Sequence, residues 1–69
     1  MYVLDSERIG EKLTALRGDR TQEEVANAVN ISVSALSMYE RGERIPRDNI
    51  KIRLATYYNR AICDIFFTE

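Results

Sequence analysis

Two helix starts set eleven residues apart constrain this chain more than any other feature. The segment "TQEE" supplies Thr21 as an N-cap and Glu24, three residues later, as the reciprocal acceptor of a capping box. Ser32 is a second good N-cap. Between them stands Asn30, which accepts the left-handed backbone of a tight turn better than most side chains other than Gly. A helix of about two turns, three or four connecting residues and a second short helix are all that this spacing admits. Val25, Ala26 and Val29 form the inward side of the first; Leu36 and Tyr39, three apart, form that of the second, which Gly42 ends.

The rest of the chain reads the same way. Asp5 or Ser6 caps a first helix whose Ile9, Leu13 and Leu16 recur on one face, and Gly18 with Asp19 closes it. After "RGERIPR", where Ile45 is expected to plug the end of the core and Pro46 to redirect the chain, a fourth helix spans about Asp48 to Tyr58 with Ile50, Leu54, Ala55 and Tyr58 inward. Asn59 stops it, and "AICDIFF" forms a short fifth helix presenting Ile62, Ile65 and Phe66. No strand alternation and no internal repeat interrupts this pattern, so the expectation is five short helices in local succession.

At 69 residues the chain is expected to be one domain, residues 1–69, with room for a small core only. Its 45% apolar and 30% charged residues, with three Gly and one Pro, describe an ordinary globule. The single Cys63 excludes an internal disulfide and is expected to pack among apolar neighbours. With no His and no pair of carboxylates placed to share a cleft, an enzyme is not expected, nor is a metal or other cofactor. The N-terminal residues lack the layout of a signal peptide, and no apolar run approaches the roughly 18 residues that span a membrane. A cytoplasmic location is expected by default. A net charge of -1 argues against a polyanion binder held by overall charge, but Arg41, Arg44 and Arg47 fall within seven residues.

A short capped helix, a tight turn and another short capped helix make a helix-turn-helix, whose second helix enters the major groove of DNA. Gln22 in the first turn of helix two, the small Ala26 that permits close crossing and the arginine-bearing loop strengthen that reading over an ordinary helical bundle. The run "TQEEVANAVNISVSALSMYERGERIP" resembles the Cro/C1-type (XRE) helix-turn-helix domains of phage and bacterial repressors, and the likeness continues through "IKIRLATYYNRAICDIFF". This resemblance implies a compact, all-α, five-helix lambda-repressor-like domain with its helix-turn-helix at about residues 21–41. It implies that Gln22 touches a phosphate or a base edge, that Val33, Ser34, Ser37 and Met38 line the groove-facing side, and that Glu40 pairs with an arginine near the end of helix one, here Arg17. The chain departs from the pattern at Asn30, where a Gly is common, at Lys51, where an apolar residue is common, and at Ala61, where a Ser or Thr cap is common.

The reading helix carries no Arg, Lys, Asn or Gln at its groove-facing positions. Ser34 and Ser37 offer hydroxyls of modest discrimination, and Val33 with Met38 offers methyl groups to thymine. Affinity is then expected from phosphates, held by Thr21, Gln22, backbone amides around Ser32 and Val33, and Arg41, Arg44 and Arg47. Glu7, Glu11, Asp64 and Glu69 are expected to face away. Ile62, Phe66 and Phe67 exceed what so small an interior needs and are expected to form a homodimer contact. The function expected is a DNA-binding transcriptional regulator, a repressor acting as a dimer on a palindromic operator, open to a protein antagonist. The alternative is an antitoxin-like or adaptor protein working mainly through a protein partner at "AICDIFFTE".

Overall fold

The structure is a computed structural model that describes residues 5–67. Its elements are α1 (Ser6–Arg17), α2 (Gln22–Val29), α3 (Val33–Glu40), α4 (Asp48–Tyr58) and α5 (Ile62–Phe66). Each of the first three begins where a short polar side chain satisfies amides that the helix itself leaves unbonded. Asp5 accepts from the amides of Glu7 and Arg8 at 3.1 and 3.3 Å. Thr21 accepts from Glu24 at 3.0 Å and Ser32 from Ala35 at 3.0 Å. Neither Arg47 ahead of α4 nor Ala61 ahead of α5 provides such a bond.

Asn30 ends α2 in the left-handed conformation (φ 60, ψ 51), and only Asn30, Ile31 and Ser32 separate α2 from α3. The Ile31 amide donates back to the Ala26 carbonyl at 2.9 Å, which folds the chain sharply into the next helix. Gly42, at φ 75, closes α3 in the same region of backbone space.

One hydrophobic cluster joins all five helices: Ile9 and Leu13, then Val25, Ala26 and Val29, then Leu36 and Tyr39, then Leu54, Ala55 and Tyr58, and last Ile65 and Phe66. α1 packs on α3 and α5, α2 on α3 and α4, and α4 on α5. The crossing of α1 on α3 is backbone-close, because a Cβ added at Gly10 would lie 2.9 Å from the Tyr39 carbonyl oxygen and nearer still to that of Glu40. Nothing in the periodicity of α1 signals this approach, since Gly10 lies one residue past Ile9 on the same buried side.

Three expectations need correction. Ile45 is exposed and Pro46 is buried, so the proline rather than the isoleucine closes that end of the core. Cys63 is exposed, on the outward side of a helix too short to bury both faces. Phe66 is fully buried within its own chain, which leaves none of its surface for a second subunit. Lys51 stands on the buried side of α4, its stem covered and its ammonium 3.6 Å from the Asp48 carboxylate and 5.4 Å from the centre of the Phe67 ring. The charge thus reaches the edge of the core while the stem fills an apolar position.

Candidate nucleic-acid interface

The Glu40 carboxylate, whose side chain is 4% exposed, is where three helices meet. Arg17, from the last turn of α1, grips it with both faces of its fork, Nε to Oε2 at 2.8 Å and Nη2 to Oε1 at 3.1 Å. Gln22, from the first turn of α2, donates its Nε2 to Glu40 Oε1 at 3.0 Å. The pair that the resemblance implied is therefore formed, and it carries a third member. Arg17 also donates Nη1 to the Arg20 carbonyl at 2.7 Å, tying down the loop between α1 and α2. Hydrogen bonding to Glu40 raises the Arg17 pKa above its ordinary value, against the opposing effect of burial.

Arg20 completes this corner. It donates to the carbonyls of Leu16 and Arg17 at the end of α1, at 3.0 and 3.2 Å, and its guanidinium stands 5.2 Å from the Tyr57 ring and 5.4 Å from the Tyr58 ring. The Tyr58 hydroxyl is buried and has no hydrogen-bond partner among the described residues. Burial first, and the nearby Glu40 charge second, push its pKa up to about 12.

Outward from Glu40, a concavity is lined by Gln22, Val33, Ser34, Ser37, Met38 and Arg41. Six of the ten residues selected from the sequence thus share one surface. Val33 is 41% exposed and Ser34 is exposed, while Ser37 and Met38 are half-buried. Thr21 and Ser32 are exposed at the starts of α2 and α3; each oxygen accepts a capping bond, and each hydroxyl keeps its own proton to donate. Arg44 and Arg47 are exposed in the segment between α3 and α4. Arg41 is already engaged, its Nε 2.9 Å from Glu43 Oε2 and its Nη2 3.3 Å from Oε1. Glu43 escaped the sequence reading, although its place two residues after Arg41 made a local pair available. Glu7, Glu11 and Asp64 are exposed, and Glu69 lies outside the described residues.

The residues expected between subunits separate. Ile62 and Phe67 are half-buried against the edge of the core. Ile52, which the sequence does not mark as a contact residue, is 53% exposed. It belongs to one concavity with Val29, Asn30, Arg53 and Tyr57, and to another with Ala55, Thr56, Ala61 and Ile62. Its position off the Ile50–Leu54–Tyr58 stripe of α4 was a signal open to sequence reading. Among the described residues no helix is long and apolar enough to cross a membrane.

A search of curated proteins returned no match. Solved structures are similar over most of the chain. The SOS-response transcriptional repressor LexA from Eubacterium rectale is 25% identical, with a TM-score of 0.84 over 90% of this chain and 68% of that one. The restriction-modification controller protein C.AhdI from Aeromonas hydrophila is 26% identical, with a TM-score of 0.81 over 90% of this chain and 97% of that one. The clp gene regulator ClgR from Corynebacterium glutamicum is 26% identical, with a TM-score of 0.76 over 91% of this chain and 84% of that one. A family model described as Helix-turn-helix matches residues 12–65, from within α1 to within α5, and the chain belongs to that family.

Proposed function

We propose that this chain is a sequence-specific transcriptional regulator of the Cro/C1-type (XRE) class, a repressor that sets α3 into the major groove of a roughly palindromic operator as a homodimer. The observation that carries this reading is the concavity in which Gln22 from α2 meets Val33, Ser34, Ser37, Met38 and Arg41. It supplies hydroxyls, methyl groups and one carboxamide toward base edges. The exposed starts of α2 and α3, with Thr21, Ser32, Arg44 and Arg47, supply donors toward phosphates. The names of similar structures, a transcriptional repressor, a controller protein and a gene regulator, agree with it.

The dimer is assigned to the α4–α5 side. Ile52 and Ile62 line a single concavity there, and Phe67 stands at the edge of the core beyond α5; Phe66 takes no part. Pairing across a twofold axis covers this apolar area and sets two α3 helices roughly one DNA turn apart, about 34 Å, so that two modest readers act together. Selection from a random duplex pool tests the reading, with enrichment of a two-fold symmetric site expected. Sedimentation of wild type and Ile52→Asp across a concentration series tests the assembly, with the variant shifted toward monomer and weaker on the full operator. A monomer at all concentrations that enriches no duplex would transfer the function to the adaptor class.

A further inference from the structure

We infer that the groove between α2 and α4 seats an amphipathic helix of another protein, one with carboxylates beside its apolar stripe, and that this helix takes Ile52 from the homodimer; only the second half rests on the assembly proposed above. α2 packs on α4, and outward of that contact lies a concavity of about 480 Å³ lined by Ala28 and Val29 from one helix and Ile52 and Tyr57 from the other. Ile52 is 53% exposed, more than any other large hydrophobic side chain described. The Tyr57 ring is a fixed wall, because the Tyr58 ring packs edge-on at 5.1 Å and the Arg20 guanidinium stands 5.2 Å from its centre. A groove between two packed helices, with an apolar floor and a rigid aromatic wall, accepts a third helix by its apolar face.

Charge selects the occupant. Arg53 lines this groove, Arg60 lines the adjoining concavity that shares Ile52 and Thr56 with it, and no Asp or Glu lines either. Both arginines are exposed, and neither side chain has a hydrogen-bond or ion-pair partner among the described residues. Asp64 shares a third concavity with Arg60 but forms no ion pair with it. A second copy of the chain would bring more arginines and no carboxylate, because twofold pairing sets the same patch on both sides. Self-association there is opposed by like charge, whereas carboxylates on a foreign helix answer both guanidinium groups. A phosphate backbone would also answer them but offers nothing to Ile52 and the Tyr57 ring. Since Ile52 belongs to both concavities, a helix in the groove and a second subunit compete for it. The partner is thus an acidic antagonist of assembly.

The test uses the full chain and a displayed library of amphipathic helical peptides, with a fixed leucine stripe and flanking positions randomised among Glu, Lys, Ser and Ala. Panning on wild type should enrich Glu at the flanks, and the best peptide should shift the NMR signals of Ala28, Val29, Ile52 and Tyr57. Arg53→Glu should reverse the enrichment from Glu to Lys and weaken the wild-type peptide about tenfold or more. Ile52→Ala should weaken it by about the same factor. If Arg53→Glu does not fold, the salt dependence of wild-type binding decides: affinity that falls as salt rises supports the charge pairing, and affinity indifferent to salt overturns it. In sedimentation, excess peptide should convert the wild-type dimer into peptide-bound monomer. Enrichment of Lys, no charge preference, or shifts confined to α3 overturn the inference. A wild type that never dimerises, or a dimer that persists with peptide bound, overturns the competition for Ile52 and spares the groove. A wild type that enriches no duplex removes the proposed function and leaves the groove's occupant to stand on the panning result.

Discussion

The chain makes the same turn twice and finishes it differently. Between α2 and α3, Asn30 sits at φ 60, ψ 51, its amide bonds to the Asn27 carbonyl at 3.3 Å, and Ile31 reaches back to Ala26 at 2.9 Å. Between α4 and α5, Asn59 sits at φ 58, ψ 48, bonds to Thr56 at 3.2 Å, and Arg60 reaches back to Ala55 at 2.9 Å. The residue two places after each asparagine stands at the N-cap of the next helix, but Ser32 caps α3 through its side chain and Ala61 gives α5 no such bond. α3 runs for eight residues and α5 for five. The comparison teaches that a left-handed asparagine and one buried face suffice to make the turn. What the first copy adds is fixation, by a cap at its start and by Arg17, Gln22 and Glu40 at its end. That rigidity suits a helix that must present side chains at set positions.

Removing the fixation should have the largest effect. Glu40→Ala leaves the Arg17 guanidinium facing an apolar gap and frees Gln22, and should destabilise the fold by about 3 kcal/mol, seen as a lower denaturation midpoint with an unchanged slope. No single truncation of a polar side chain in α5 should approach this. The second effect is alkaline. Tyr58 ionises near pH 10 when unfolded and near pH 12 when folded, so the unfolded chain loses its proton first. The associated stability is complete below pH 10 and is lost as pH rises to about 12. Tyr58→Phe should flatten this part of the stability curve and cost little at neutral pH, where it deletes a hydroxyl without a partner. The smallest effects concern the two helix starts. Ser32→Ala should destabilise by about 1 kcal/mol, and Ala61→Ser should stabilise by about 0.5–1 kcal/mol, both read from thermal melts.

The features legible in the sequence are those set by neighbours along the chain. Thr21 and Ser32 act on amides three residues away, and Asn30 on its own backbone, so the helix-turn-helix could be placed residue by residue. Contacts between distant segments were not readable in this way. Arg17 and Glu40 lie 23 residues apart, and their pairing followed from the family resemblance alone. The third partner, Gln22, reads from the sequence as free for a ligand, because nothing local shows that a carboxylate from α3 reaches it. Gly10 looks like an ordinary helix residue until the backbone of α3 lies against it. Ile45 and Pro46 exchange roles because hydropathy ranks the isoleucine inward while the path of the segment turns it out. For Phe66 and Phe67, composition alone gave too many apolar residues for one core, but only the helix geometry distinguishes the buried ring from its half-buried neighbour.

On the proposed reading, the fixed copy of the turn meets DNA and the uncapped copy does not. Titration of isotope-labelled protein with its selected duplex, followed by amide and side-chain NMR shifts, separates the two copies. The largest changes are expected at Gln22, Val33, Ser34, Ser37, Met38 and Arg41, including the Gln22 carboxamide, and small ones on α5. Changes concentrated on Ile52 and Ile62, with α3 unmoved, would contradict that reading.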